Sequence, residues 1–517
     1  MGCPKNIFQA AWRLMLLTTA VTLLALRPSS ASAHESPEEN PPVYERGEAS
    51  PVIDHPRDFK GVPVEWTYHK TADDAHPNGL EQQQLWLLNR ARSNPSQEGY
   101  FLANLDDSDV SYDTNYFGVD FDLMQEQFDA LPAQPPGAFD NRLYSAAYAH
   151  SLYMISINDQ THTGQLTRID ASGFVWNRVG MSVYAYARSG IHCHAGFNID
   201  WGYGEGGMQV PPGHRYNTMS IKTSYDNFIA GDMYNIGIAV VPHNNSLPNV
   251  GPLVVTENFA RAYTDPADHY NRFLVGTLWE DLNGNDYYDS GEGIGGNVTV
   301  TPVGGNYYAV TPPSGGFAVP ILASGRYDVT FSGGGLAFPV TRTVRVADLS
   351  VLLDMPVSED SDKDLLFDSY EREHFGALGV SNGTGDQDQD GLNDADEYRY
   401  LTDPKVKDSE GDLMEDGWEV TYGLDPMYDD SQENPDGDSL TNLEEFLSGT
   451  DPTVYTAPWP GDTDQDGVLT LKDALFCLQV QAGARGVGNF PLYDMDGDGR
   501  TGVEEAIIIL KKLAGLP

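Results

Sequence analysis

Residues Asp386 to Glu397 read D-Q-D-Q-D-G-L-N-D-A-D-E and constrain the chain more than any other stretch. Oxygen side chains fall at loop positions 1 (Asp386), 3 (Asp388), 5 (Asp390), 9 (Asp394) and 12 (Glu397). Gly391 stands at position 6, where a sharp turn calls for φ > 0. Carboxylates this dense repel one another unless a cation sits among them. A hard divalent cation takes six to eight oxygens, and these side chains plus the Leu392 carbonyl at position 7 supply them, with Glu397 closing the loop bidentately. The plain alternative is an acidic surface turn, and recurrence argues against it.

Asp408, Glu410, Asp412, Asp416 and Glu419 occupy the same positions in a second loop, with Leu413 in place of the turn glycine, so a weaker site is expected there. A third runs Asn434, Asp436, Asp438, Asn442, Glu445, with Ser439 at position 6. An Asp-Pro pair begins at the same offset after each closing Glu: Asp403-Pro404, Asp425-Pro426 and Asp451-Pro452. A fixed offset marks a repeat. The loops have the EF-hand calcium spacing, and residues 360–455 resemble bacterial thrombospondin type 3 repeats, which implies a calcium-packed rod or spacer.

Thirty Lys plus Arg against 76 Asp plus Glu give a net charge of −46 over 517 residues. Such a surface repels phosphate backbones and anionic lipid, which argues against a nucleic-acid partner. It also repels itself, so the C-terminal third is expected to depend on Ca2+ for its fold. Lys5 and Arg13 precede the apolar run Leu14 to Leu26, and Ala31-Ser32-Ala33 supplies a small-residue cleavage site. Residues 1–33 therefore read as a secretory signal peptide, with no membrane span after its removal. Cys193 and Cys477 fall in different expected domains, so no disulfide framework is indicated.

Residues 34–74, rich in Pro, Glu and polar side chains, read as a disordered linker. From Gly79, Leu80, Leu85, Leu87, Leu88 and Ala91 line one helical face that Asn94-Pro95 ends; a second helix is expected from Asn141 to Ile157. Ile236 to Val241 and Leu253 to Thr256 read as strands, so this region is expected to be α+β. L-L-N-R-A-R-S-N-P, AFDNRLYSAAYAHSLYM, THTG, GHRYN, NIGIAVV and VVTENFA, in that order, resemble a bacterial CAP (SCP/PR1-like) domain over residues 75–268. The resemblance implies an αβα sandwich whose cleft holds two histidines and two acids, a site for Zn2+ or another divalent metal. By motif the histidines are His162 and His214.

The match fails where the family reads G-E-N. This chain has Gly180-Met181-Ser182, and a thioether can neither hold a hard metal nor move a proton. Glu205, nine residues before His214, is the candidate for the second acid. His192 or His194 of I-H-C-H-A-G could join a zinc site, since a strand there would put both on one face. Cys193 between them is the one thiol with such neighbours, which leaves a Cys-His arrangement open. His150, on an apolar helix face, reads as a packed structural histidine.

Residues 271–356 alternate as β segments, and L-V-G-T-L-W-E-D-L-N-G-N-D-Y-Y-D-S-G-E-G resembles the B-type repeat of bacterial adhesins, which implies a calcium-stiffened β-sandwich acting as a stalk. Its acidic loop, Asp281, Asn283, Asn285, Asp289 and Glu292, keeps the EF-hand spacing. Strands are expected at Tyr307–Val310, Gly316–Val319, Gly325–Phe331 and Thr341–Val346. Residues 458–517 carry two further loops: Asp462, Asp464, Asp466, Thr470 and Asp473, then Asp494, Asp496, Asp498 and Glu505. Each runs into a helix, and aligning A-L-F-C-L-Q with A-I-I-I-L-K places Cys477 where Ile509 stands, as a buried small hydrophobe. Closing the first loop with Asp makes this small α-helical pair resemble a type I dockerin, which implies a cohesin-like or cell-envelope partner; a calcium-stabilised cap is the alternative.

The sequence thus reads as a multidomain, secreted or cell-surface protein in which calcium stiffens an arm carrying a CAP domain that binds a ligand or partner. The rival is a metal-dependent hydrolase of protein or cell-wall polymer using His162 and His214; the missing acid at Met181 weighs against it.

Overall fold

A computed structural model describes residues 42–46, 61–224, 227–244, 249–264, 267–438, 440–454, 461, 463, 469–483 and 502–515. The expected signal peptide lies outside the described residues. The chain divides into two compact units, the first running to Gly325 and including 333–336 and 346–356, the second formed by 326–332, 337–345 and 357–517. The architecture is mixed α+β with open sheets. No helix among the described residues is long and apolar enough to cross a membrane.

In the first unit the helices are α1 (Gly79–Ser93), α2 (Pro95–Ala103), α3 (Ser108–Phe117), α4 (Phe121–Asp129), α5 (Asn141–Ile157), α6 (Gln165–Ala171), α7 (Gly190–Ile199) and α8 (Gly213–Thr218). Helix α1 starts where expected because Asn78 accepts the N–H groups of Leu80 and Glu81 while Glu81 caps the Asn78 N–H in return. The strands are β1 (Val43–Glu45), β2 (Val64–Glu65), β3 (Ala138–Phe139), β4 (Trp176–Ala187), β5 (Ile221–Ser224), β6 (Asn227–Ala230), β7 (Asn235–Pro242) and β8 (Leu253–Ala262). Five of them form a sheet in the order β1-β4-β8-β7-β3, and β5 pairs with β6.

That sheet is covered on both faces. Along β8, Val255 and Phe259 pack into a cluster with Leu85, Cys193 and Phe197 from α1 and α7. Ala260 packs with Leu143 and Ile169 from α5 and α6, and Val254 with Met154. Alternate residues of one strand thus serve opposite layers, as the period of two requires.

Three expectations need correction. The stretch read as a disordered linker contains β1, which pairs with β4 from Val43↔Gly180 to Glu45↔Arg178, and β2, which pairs with Tyr307 and Tyr308. An unpaired sheet edge offers ladder partners that composition alone does not reveal, and Trp66, just after β2, is buried among Tyr68, Tyr270, Phe273 and Tyr307. The run I-H-C-H-A-G is helix α7 and not a strand: Ser189 caps it by accepting the His192 N–H. Finally, the expected stalk does not stand clear of its neighbour.

Its strands are β9 (Phe273–Trp279), β10 (Val298–Pro302), β11 (Tyr307–Val310), β12 (Gly316–Pro320), β13 (Gly325–Gly333), β14 (Val340–Val346), β15 (Val351–Leu352) and β16 (Met355–Pro356). Strands β12, β15 and β16 pair with β9, and β10 with β11. Within this first unit α1 packs directly on β9 and the loop that follows it. Gln82 Nε2 donates to Thr277 at 2.8 Å, Gln83 Nε2 donates to Asp289 at 2.6 Å, and Trp86 meets Trp279 edge-on at 5.5 Å. The glutamines of α1 are buried because the helix lies between two layers, so its polar face also needs partners.

The second unit holds the hairpin β13–β14 and the helices α9 (Asp368–His374), α10 (Asp394–Tyr400), α11 (Asp416–Tyr422), α12 (Asn442–Ser448), α13 (Leu471–Gln481) and α14 (Val503–Leu513). The hairpin is pinned to the repeats by cations in an otherwise acidic unit: Arg342 lies 3.2 Å over Tyr398, Arg345 lies 4.0 Å over Tyr428, and Arg399 pairs with Asp328 at 2.7 Å. Helices α13 and α14 pack through Ala474, Cys477, Ala506 and Ile509, the register expected from their alignment.

Candidate functional site

Each of α9 to α12 begins at position 9 of an acidic loop and delivers position 12 one turn later. The short helices therefore exist to aim carboxylates back at the loop. Ligand oxygens of Asp386, Asp388 and Asp390 converge within 4.8 Å, as do those of Asp408, Glu410 and Asp416, of Glu410, Asp412 and Glu419, and of Asp436, Asp438 and Glu445. Asp394, Asn434 and Asn442 flank these groups; Asn442 is fully buried, with Oδ1 unpartnered. Leu392 N–H donates to Asp390 at 2.7 Å, which shapes the turn that presents the Leu392 carbonyl.

The closing glutamates decide what these loops are for. Glu397 and Glu419 are 0% exposed, and neither oxygen of either carboxylate has a hydrogen-bond partner. Both oxygens of Glu410, Oδ2 of Asp388, Oδ1 of Asp394 and Oε1 of Glu445 are buried in the same condition. Burial, then the surrounding carboxylates, pushes Glu397 up to about 9, Glu419 up to about 10 and Glu445 up to about 7; burial and Asp412 push Glu410 up to about 8. Buried charges persist only when paired or bound to metal, so the donor set fits a hard cation of calcium type. Leu413 takes up the left-handed conformation, φ 81°, that the missing glycine would have supplied.

A fourth loop of this form escaped the sequence reading. Asp360, Asp362 and Asp364 converge, Asp368 opens α9, and Glu371 closes the loop, fully buried with Oε2 unpartnered. The spacing of D-S-D-K-D-L-L-F-D-S-Y-E was the available signal. Leu365 at the turn, with φ 75°, and the lack of a following Asp-Pro pair concealed it.

The loop of the first unit differs. Asp289 Oδ2 accepts from Asn283 Nδ2 at 2.7 Å and Asn285 Nδ2 at 2.8 Å. Glu292 accepts the N–H groups of Leu282 and Asp289, and Asp281 those of Gly284, Asn285 and Asp286. At the C-terminus, Asp473 and Glu505 are buried and Thr470 caps α13; Asp462, Asp464, Asp466, Asp494, Asp496 and Asp498 lie outside the described residues.

The histidines fall into two classes. Those of α7 are structural: His192 Nε2 meets Asp113 at 2.8 Å and His194 Nε2 meets Glu98 at 2.7 Å, both buried. Burial alone would raise Glu98, but His194 and Arg90 outweigh it and hold the carboxyl below its ordinary value. Cys193 faces the core, where burial pushes its thiol well above the ordinary range, so it is no nucleophile. His150 Nε2 donates to the Thr161 carbonyl at 2.7 Å, a packed histidine as expected.

His162, after α5, and His214, on α8, are arranged otherwise. His214 is fully buried; Asp200 accepts from its Nδ1 at 3.0 Å and from its backbone N–H at 2.9 Å, and its Nε2 has no hydrogen-bond partner. His162 Nδ1 lies 2.6 Å from Gln165 Oε1. Burial, then the neighbouring His214 and His150, lowers His162 to about 4, so it is neutral at physiological pH. The acid beside His214 is thus Asp200, held at the left-handed C-cap of α7, while Glu205 is exposed on a short 3₁₀ turn. Met181 is buried against Leu143 and Ile169, filling the helix-facing side of β4. Two imidazoles fit part of the ligand set of a borderline cation such as zinc; among the described residues the groups of three or more converging ligands are all carboxylates.

No family model, no curated protein and no solved structure matches this chain.

Proposed function

We propose that this is a secreted, calcium-dependent modular protein that displays a CAP-like domain, residues 75–268, at the cell surface or in an extracellular complex, where the cleft of His162 and His214 binds a ligand or partner. What carries the calcium part is the condition of Glu397 and Glu419, fully buried with every side-chain oxygen unpartnered. Calcium is the partner that removes that cost, and extracellular modules of this chemistry bind at about 10⁻⁴ to 10⁻³ M, which suits constant saturation outside a cell. The terminal helix pair would dock a cohesin-like or cell-envelope partner. Hydrogen exchange on the full chain with calcium and with chelator tests the reading: protection should be lost across 360–450 and kept across α1, α5 and β8. Unchanged protection in the repeats would sink it.

A second reading, a metal-dependent hydrolase of protein or cell-wall polymer, is supported by the Asp200–His214 pair, because a carboxylate on the far nitrogen raises the basicity of a ligating imidazole. A cation held by His162 and His214 would supply Lewis acidity toward a carbonyl. The non-catalytic reading is preferred because Asp200 is committed to orienting His214 and Met181 stands where the resembled family has its glutamate. Turnover by the zinc-reloaded chain on a protein or cell-wall polymer separates the two: hydrolysis that is lost in His214→Ala would favour the hydrolase, and zinc held without turnover the binding reading.

A further inference from the structure

The hydrogen bonds behind His162 form a chain whose direction is fixed at one end. A backbone carbonyl can only accept, so Asn258 must turn its Nδ2 toward Leu143 O, at 3.0 Å. Its Oδ1 is then the acceptor for Gln165 Nε2 at 2.9 Å, which leaves Gln165 Oε1 facing His162 Nδ1 at 2.6 Å. Gln165 and Asn258 are fully buried, so neither amide is free to turn over without breaking a buried bond. An amide oxygen donates nothing; the proton must therefore be on His162 Nδ1. Asp200, on its side, takes the Nδ1 proton of His214.

We propose that Gln165, oriented by Asn258, is the positioning residue that locks His162 as its Nδ1–H tautomer, so that His162 and His214 both present Nε2 lone pairs and the cleft accepts cations or hydrogen-bond donors and rejects anions. The inference rests on reading the two histidines as a binding pair. It assigns them unequal support: a carboxylate behind His214 and a neutral amide behind His162, which makes His214 the stronger donor. As neutral imidazoles in these tautomers, neither ring has an Nε2 proton to offer a carboxylate, sulfate or phosphate.

The test uses the full calcium-loaded chain with ¹⁵N-labelled histidine, His162 being identified by the signals lost in His162→Asn. At pH 7.5 the native chain should show His162 protonated at Nδ1 only. Gln165→Leu should shift the proton toward Nε2 and weaken zinc binding by roughly 10- to 100-fold, as loss of an outer partner does; Gln165→Glu, which restores an acceptor, should return both. A purely structural Gln165 would lower stability without moving the tautomer. Finding the native His162 protonated at Nε2 overturns the proposal without any variant, as does a tautomer that Gln165→Leu leaves in place. If the tautomers are as stated while zinc binds neither native chain nor variant, the lock stands and the binding-pair reading fails. Zinc binding that Gln165→Leu does not weaken overturns the proposal, because the tautomer would then not govern what the pair accepts, and leaves the binding-pair reading standing.

Discussion

The loops at 386–397 and 281–292 share one spacing, and burial raises the closing glutamate of both, but only one of the two is hydrogen-bonded. In the first, the closing Glu397 is buried with both oxygens unpartnered and is pushed up to about 9 by burial and by Asp388 and Asp390. In the second, both oxygens of the closing Glu292 accept backbone N–H groups. The difference lies at positions 3 and 5. Aspartates there add charge that a cation or protons must neutralise; Asn283 and Asn285 instead bring amide N–H groups, and both turn them on Asp289. Spacing makes the loop, and the acid-to-amide choice decides how much it needs the ion.

The largest expected effect follows directly. With calcium at about ten times its Kd each site stabilises the fold by about 1.4 kcal/mol, so removing it from several adjacent loops should unfold the repeats. Hydrogen exchange should show residues 360–450 losing protection in chelator while amides of 281–292 keep theirs. Equal loss in both would erase the contrast.

Protons should partly replace the ion in the repeats. Glu397 and Glu419 have folded values, about 9 and about 10, above the ordinary carboxylate value of 4.5. Between those limits the calcium-free fold binds more protons than the unfolded chain, so its stability falls as pH rises through that window. In chelator, circular dichroism should show the repeats most folded near pH 5 and progressively lost toward pH 9, with saturating calcium flattening the curve. Stability that increases with pH in chelator would contradict the assignment of those two carboxyls.

Why were the loops legible in the sequence and the surroundings of the histidines only half so? Loop geometry is local: ligands, turn and capping residues all fall within one short stretch, and α1 and α5 likewise announce themselves through Asn78 and Asp140 at their caps. The miss at 360–371 shows the limit, since Leu365 and Leu413 adopt a conformation that the reading reserved for glycine. Partners of the histidines are non-local. His192 and His194 find carboxylates on α3 and α2, and Gln165 reaches Asn258 on β8; no spacing rule predicts these. Asp200 was passed over for Glu205 because a left-handed cap, invisible in sequence, turns the chain back at that residue.

Replacing both Asn283 and Asn285 by Asp should convert the self-satisfied loop into the calcium-dependent kind. Asp289 Oδ2, half-buried, would lose both side-chain donors, at about 0.5–1.5 kcal/mol for each hydrogen bond. Two charges would be added beside Asp281. The double variant should therefore melt earlier than the native chain in chelator and recover in millimolar calcium, read by the thermal transition of the first unit. If the variant is destabilised equally with and without calcium, the amide substitution does not explain the difference between the loops.

The smallest effect tests whether position 6 matters as much as positions 3 and 5. Leu413 sits at φ 81° with its side chain 69% exposed, so its apolar atoms contribute little packing. Left-handed backbone costs a residue with a β-carbon roughly 1–2 kcal/mol, and glycine returns about 0.5–1 kcal/mol of that as unfolded-state entropy. Leu413→Gly should then stabilise the calcium-loaded second unit by under about 1 kcal/mol and tighten calcium only a few-fold, measured by calorimetric titration. A tightening beyond about tenfold would mean that strain at the turn, and not carboxylate count, limits the 408–419 loop. It would then make glycine at position 6 the feature by which strong and weak loops of this chain are told apart.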